Sequence, residues 1–343
     1  MSEDEISADA EKATRIGIVG AGAWGTALAQ VMANAGREVV LWAREPEVVE
    51  AIDAEQENKQ FLPGITLHEN VRATSSLTRA TETDIILLVT PAQHVRNTLQ
   101  ALKADLADGK PLVICAKGIE TETGYLMSHV AEEEVPLANI AVMSGPTFAG
   151  ELASGVPSAV TIAAPDNDTG EMLVERLSTR SLRAYYSDDL TSSQIGGAVK
   201  NVIAIACGVV YSLGLGESAR AALVTRGLAE MGRLAAAMGA KRTTLMGMCG
   251  IGDLMLTCTS TQSRNYGLGS DLARGKSVDE ILAERGGAVT EGIHTAEALM
   301  TMAKNHAVDM PISQAVYECL HEDKDINQAI DQMLERPLKP EGT

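Results

Sequence analysis

A chain of 343 residues is more than one ordinary hydrophobic core accommodates, so two domains are expected. Its formal net charge of −18 argues against nucleic-acid binding and requires any anion site to be a local cluster of cations, with distant charge screened by salt. Residues are 45% hydrophobic but only 3% aromatic, so the core must rest on Ala, Val, Leu, Ile and Met.

The first 14 residues are acidic and polar, lack the basic start and apolar centre of a signal peptide, and read as a disordered tail. Residues 15–189 then alternate strand and helix. Ile16-Gly17-Ile18-Val19 is a short apolar strand, and residues 26–35 carry Leu28, Val31, Met32 and Ala35 at helical spacing, stopped by Gly36. Further apolar runs at 38–42, 84–89, 112–115, 140–143 and 159–162 read as strands. Continuous apolar strands between helices predict a doubly wound parallel sheet of the Rossmann type, with its ligand crevice at the strands' carboxyl ends.

Beyond residue 189 strand signals stop and long Ala/Leu/Met stretches follow, such as 220–238 and 295–306. Residues 190–335 are therefore expected to form an all-helical substrate domain, and 336–343 a loose tail. The longest apolar run, around 201–215, reads as a buried helix, and no run is read as reaching the roughly 18 residues of a membrane span. Five cysteines without a CxxC pair or paired His spacing point to free thiols in a reducing cytoplasm, with no metal site expected.

The turn Gly20-Ala21-Gly22-Ala23-Trp24-Gly25 joins the first strand to the first helix. In that context Gly20 permits the tight turn, Gly22 lets a pyrophosphate approach the backbone, and Gly25 lets helix pack on strand. The helix N-terminus then offers free N–H groups to the phosphates. The second strand ends at Arg44, whose guanidinium suits the 2′-phosphate of NADP, and Glu45 follows at once and could serve the ribose of NAD. NADP(H) is the preferred cofactor, with NAD(H) possible.

Further segments make the chain recognisable: Ser144-Gly145-Pro146-Thr147-Phe148-Ala149, Gly196-Gly197-Ala198-Val199-Lys200-Asn201, and Gly250-Ile251-Gly252-Asp253-Leu254 running through Leu256-Thr257-Cys258 to Ser263-Arg264-Asn265. With residues 58–64, Ala116-Lys117-Gly118-Ile119-Glu120 and Thr290-Glu291-Gly292, the chain resembles bacterial-type NAD(P)-dependent glycerol-3-phosphate dehydrogenases over residues 15–335. The resemblance implies a helical domain of the 6-phosphogluconate dehydrogenase-like C-terminal type. It also implies reversible reduction of dihydroxyacetone phosphate to sn-glycerol 3-phosphate, a supply for glycerophospholipid synthesis, and a homodimer.

It further implies roles for residues. Lys200 matches the catalytic lysine, and acid–base work near pH 7 requires its pKa to fall about two to three pH units below the usual 10.4. Burial and a neighbouring Lys117 would supply that fall. Lys117 is expected to touch both substrate and cofactor. Gly145 and Thr147 present backbone and hydroxyl groups to the substrate, and Asp253 either accepts from a substrate hydroxyl or orients Lys200. Ser263, Arg264 and Asn265 are candidates for the substrate phosphate, where a guanidinium can grip with two parallel bonds beside a helix start. Arg264, Ala149, Val289 and Glu291 fall at cofactor-touching positions, with Trp24 able to cover the nicotinamide side.

Ala23 stands where many relatives carry Ser, and residues 191–194 are more polar than the usual helix entry. Two other readings compete. One is another two-domain dehydrogenase for hydroxy acids or sugar acids, which would want a carboxylate clamp in place of Ser263-Arg264-Asn265. The other is a non-catalytic NADP-binding sensor, which would not need Lys117, Lys200, Asp253 and Arg264 together.

Overall fold

The computed structural model describes residues 14–285, 290–338 and 340. The expected N-terminal tail, Thr14 apart, and Val289 lie outside the described residues, as do 339 and 341–343 of the expected C-terminal tail.

The first half is an eight-stranded sheet: β1 Arg15–Val19, β2 Glu38–Trp42, β3 Val71–Thr74, β4 Ile85–Leu88, β5 Pro111–Ile114, β6 Asn139–Ser144, β7 Ser158–Ala163 and β8 Leu182–Ser187. Their spatial order is β3-β2-β1-β4-β5-β6-β7-β8. Helices α1 Ala23–Asn34, α2 Pro46–Glu55, α3 Leu77–Thr81, α4 Val95–Leu102, α5 Met127–Glu134, α6 Ala149–Ala153 and α7 Asn167–Leu177 connect them, with a 3-10 turn at Ala92–His94. One face of the sheet packs Ile16, Ile18, Leu41 and Val113 against α1, α2, α6 and α7, and the other packs Ile86, Leu88, Leu112 and Ile114 against α4 and α5. Covering both faces is what the continuous apolar strands require.

Two features depart from the sequence expectation. The sheet is parallel from β3 through β6, but β7 runs antiparallel to β6. Only the five-residue α6 lies between them, too short a helix to carry the chain back over the sheet for a parallel return. The strands β3 and β8 carried no apolar run because they are the two edges, where Arg72, Arg183 and Tyr185 face solvent in alternation with buried residues.

The second half contains α8 Leu190–Ser212, α9 Glu217–Ala237, α10 Asp253–Thr259, α11 Arg264–Leu272, α12 Val278–Glu284, α13 Glu291–Asn305, α14 Pro311–His321 and α15 Ile326–Leu334. Helix α8 is the axis of this layer. Its 23 residues contain an 18-residue window of mean hydropathy 1.5 that would suit a membrane span, a longer apolar helix than the run read from the sequence. Yet 72% of its most apolar window is buried in the fold, against Met231, Leu254, Leu268 and Leu299 of the surrounding helices. The polar entry to α8 is used at Ser192, Ser193 and Gln194. Asp189 caps it by accepting from the Ser192 N–H at 2.9 Å, and Gln194 exchanges two hydrogen bonds with Ser128 of α5, at 2.9 and 2.8 Å.

Candidate active site

Strand order reverses at β1, between β2 and β4, so a crevice opens at the carboxyl ends of β1 and β4. The glycine turn sits there. Gly20 has φ +122°, a left-handed conformation that disfavours a side chain, and its N–H bonds the Trp42 carbonyl at 3.1 Å. A Cβ on Gly25 would overlap the Gly20 carbonyl oxygen, so only glycine lets α1 start this close to β1. A Cβ on Gly22 would meet nothing within 4 Å, which leaves a cradle before the helix. Gly22 is the N-cap without a side-chain bond, so the N–H groups of Ala23, Trp24 and Gly25 point outward from the first turn. Ala23 thus contributes backbone only. The buried Asn58 braces the turn from beneath, donating to the Ala21 carbonyl and to Thr26 Oγ1, both at 2.8 Å.

At the end of β2, the exposed Arg44 donates through Nε and Nη2 to Glu45 Oε1, at 3.0 and 2.7 Å. The two residues weighed for NADP and NAD are therefore paired with each other. Around the crevice several buried polar atoms have no hydrogen-bond partner: Trp24 Nε1, Thr90 Oγ1, Glu291 Oε2 and Thr295 Oγ1. Buried polar groups are normally satisfied. An open cradle, a free helix N-terminus and unspent donors and acceptors together fit a dinucleotide.

The second half of the site comes from the helical domain. Lys200 lies in the middle of α8 at 7% exposure, not at a helix start on the surface. Asp253, fully buried, opens α10 directly after a π-helical turn, Met248–Gly252. Gly196 lets α8 press on that turn, since a Cβ there would overlap the Cys249 carbonyl oxygen. One turn later Lys200 reaches Asp253: its Nζ donates to Asp253 Oδ1 and, at 3.0 Å, to Thr257 Oγ1. Lys117, beyond the end of β5, donates to Asp253 Oδ2 at 2.7 Å and to the Gly145 carbonyl at 2.9 Å. One carboxylate thus holds two ammonium groups, one from each half of the chain.

Burial lowers the Lys200 pKa to about 8, with the Lys117 charge adding to the fall and Asp253 opposing it. Desolvation removes the water that stabilises the charged form, and one carboxylate shared between two lysines does not restore it. Thr147 Oγ1 and Ser144 Oγ are buried beside this centre's β6 end without partners. Ala149 opens α6, which packs against α1.

Ser263 caps α11, its Oγ accepting from the Tyr266 N–H at 3.2 Å. Arg264 is the first residue of that helix, and among the described residues its guanidinium has no hydrogen-bonding partner. Asn265 is buried, and its amide is engaged: Nδ2 donates to Asn201 Oδ1 and Oδ1 accepts from the Gly292 N–H, each at 3.0 Å. Its side chain therefore ties α8, α11 and α13 together, and Arg264 is the cation at the start of α11. Glu291, the first residue of α13, accepts from the Ala92 N–H at 3.2 Å and feels the charge of Arg264, and burial pushes its carboxyl pKa up.

Thr257, Asn58 and Asn201 all lie inside quoted segments but carried no role in the sequence reading. A threonine four residues after Asp253 shares its helix face, which is the signal that places Thr257. Asn58 and Asn201 act through contacts across the fold, which local spacing does not reveal.

A dinucleotide turn on a doubly wound sheet, facing a buried lysine–aspartate pair on a helical domain, defines a two-domain NAD(P)-dependent dehydrogenase. Models of the N-terminal and C-terminal regions of NAD-dependent glycerol-3-phosphate dehydrogenase match residues 15–170 and 189–331. The chain belongs to that family. It is 50% identical over 327 residues to the glycerol-3-phosphate dehydrogenase [NAD(P)+] of Parvibaculum lavamentivorans, covering 95% of this chain and 98% of the relative. It is 51% identical over 328 residues to that of Rhodospirillum rubrum, covering 95% and 94%. The crystal structure of glycerol-3-phosphate dehydrogenase from Coxiella burnetii superposes with a TM-score of 0.90 at 38% identity, covering 94% of this chain and 99% of that one.

Proposed function

We propose that this chain reduces dihydroxyacetone phosphate to sn-glycerol 3-phosphate, reversibly, with NADP(H) preferred and NAD(H) accepted. The observation that carries it is the single buried Asp253 carboxylate shared by Lys200 and Lys117 beside a dinucleotide cradle. Gly20, Gly22, Ala23, Trp24, Gly25, Arg44, Lys117, Ala149, Arg264 and Glu291 would hold the cofactor, which supplies the hydride when bound. Val289, outside the described residues, is proposed to join them.

The chain's own groups do the rest. Lys200 holds the proton that the new alkoxide takes and receives it back in oxidation; a pKa of about 8 makes both its charged and neutral forms available near working pH. Asp253 and Thr257 fix its Nζ, and Lys117 adds positive charge where negative charge develops. Arg264, Ser263 and Asn265 at the start of α11 receive the phosphate, Arg264 by its guanidinium and the others by position at the helix N-terminus. Gly145 and Thr147 line the substrate from β6. A phosphate dianion brings more charge to a helix start carrying arginine than a single carboxylate does. We assign residues 15–189 to the cofactor domain and 190–335 to the substrate domain. Free thiols at Cys115, Cys207, Cys249, Cys258 and Cys319 support a reducing, cytoplasmic setting. A homodimer and a place supplying glycerophospholipid synthesis complete the proposal.

The test is spectrophotometric: oxidation of NADPH and NADH with dihydroxyacetone phosphate, in the wild type and in Lys200→Ala. Turnover by the wild type, with loss of at least about a thousandfold in the variant and near-normal NADPH binding, is the expected result. Absence of wild-type turnover with both cofactors would refute the activity, and a variant within tenfold of wild type would refute the role of Lys200.

A further inference from the structure

The 3-10 turn Ala92–His94 touches both halves of the site at once. Ala92 N–H bonds Glu291 of the helical domain. Gln93 places both ends of its amide on the loop that carries Lys117. Its Nε2 donates to the Ile119 carbonyl at 2.8 Å, and its Oε1 accepts from the Thr121 N–H at 3.0 Å. Among the described residues no backbone–backbone bond is donated by the loop between the Cys115 N–H, which bonds Leu88, and the Glu120 N–H, which bonds Tyr125. Gln93 grips the backbone two and four residues beyond Lys117. The same stretch is also held through side chains, by Arg96 on Glu120 with two bonds of 2.9 Å and by Ile119 and Leu126 buried in the helical core.

We propose that Gln93 is a positioning residue: its amide sets the loop so that Lys117 Nζ reaches both Asp253 Oδ2 and the Gly145 carbonyl. The proposal rests on the reading of Lys117, Asp253 and Lys200 as the reacting centre. Two neutral hydrogen bonds from a half-buried side chain add little to folding, because each is worth about as much as the rotamer freedom it costs. Their value lies in geometry, since Lys117 is long and, among the described residues, 116–119 donate no backbone–backbone bond of their own.

The consequence reaches Lys200. Lys200 is faced by Asp253 and Cys258 from α10 and by Lys117 from this loop. A Lys117 that slips away takes its repulsion with it and leaves Asp253 wholly to Lys200. Both changes favour the charged Lys200, so the pH above which ketone reduction fails must rise.

The experiment uses the full chain carrying Gln93→Met, which keeps volume and loses both bonds, with Lys117→Met as reference. Expected for Gln93→Met are a KM for dihydroxyacetone phosphate raised about tenfold and an alkaline limb of kcat/KM moved up by at least about half a pH unit. The NADPH Kd should stay within about twofold, read by quenching of protein fluorescence, and the melting temperature within a few degrees. Unchanged KM and pH limb in Gln93→Met, with Lys117→Met showing both shifts, would overturn the proposal and leave the centre intact. If Lys117→Met moves neither, the reading of the centre fails, and the proposal with it. Should Gln93→Met not fold, Gln93→Glu decides by the same readouts. It keeps the acceptor for Thr121 and sets a carboxylate against the Ile119 carbonyl, so both shifts are expected again, and their absence overturns the proposal.

Discussion

Lys200 titrates far above physiological pH in water, and this fold brings its titration close to it by burying it one helix turn from the Gly196 contact and giving it half of a carboxylate. With its pKa near 8, the direction of the reaction determines the sign of the pH dependence. Ketone reduction needs Lys200 protonated, so its kcat/KM is expected to fall tenfold per pH unit above about 8. Alcohol oxidation needs it neutral and is expected to rise through the same interval and then level. Rate profiles in both directions between pH 6 and 10 check this, and two parallel profiles would show that another group controls the proton. The grouping of Lys117, Lys200 and Asp253 was legible at this scale, because each stands in a compact motif and the fold brings the three together. The contacts of Asn265 were not: its amide is satisfied by Asn201, 64 positions away, and by the start of α13. Local spacing marks a residue as special without saying which of its atoms remain free.

Some helices in the second half are capped by buried polar side chains as well as packed by apolar faces. Glu230 of α9 is the clearest case: 1% exposed, it accepts from the Ile312 N–H at 2.6 Å and from the Ser313 N–H and Oγ at 3.2 and 2.8 Å. A carboxylate at the N-terminus of α14 satisfies orphan donors and the helix dipole. Burial nonetheless raises its pKa to about 6, from an ordinary 4.5, so desolvation outweighs those bonds. The folded state therefore binds more protons than the unfolded state between pH 4.5 and 6, and stability must decline as pH rises through that window. The loss is about 2 kcal/mol at 1.36 kcal/mol per pH unit. Glu230→Gln is expected to lack that slope, whereas Glu230→Ala, which leaves two N–H groups unsatisfied, should cost about 3 kcal/mol at pH 7. Urea unfolding at pH 4.5 and 7 checks both; equal slopes in wild type and Glu230→Gln would assign the titration elsewhere. At this scale the central strands were readable from apolar runs, but the edge strands β3 and β8 were not. An edge strand buries one side only, so its sequence alternates as a loop's can. The reversal at β7 was equally hidden, because strand direction depends on how the connection packs, not on the strand's own residues.

Across the whole molecule, a net charge of −18 surrounds the small cationic centre proposed to receive a phosphate dianion. Two fields compete. Lys117, Lys200 and Arg264 attract at short range, but Asp253 and Glu291 offset part of their charge within the same crevice. The remaining excess of acidic residues is spread over the surface and acts at long range. At 10 mM ionic strength the Debye length is about 30 Å, so the whole excess reaches an approaching substrate; at 150 mM it is about 8 Å, and chiefly the pocket is felt. Long-range repulsion should therefore win at low salt and fade first as salt is added. The expected outcome is a kcat/KM for dihydroxyacetone phosphate that rises about threefold or more between 10 and 150 mM NaCl at saturating NADPH. An enzyme with a net attractive field shows the opposite slope. A fall over that range would mean that the cationic centre dominates even at 30 Å, and that the acidic surface plays no part in substrate capture. The slope should also be steeper for NADPH than for NADH, since the 2′-phosphate adds charge to the incoming ligand before Arg44 can exchange Glu45 for it.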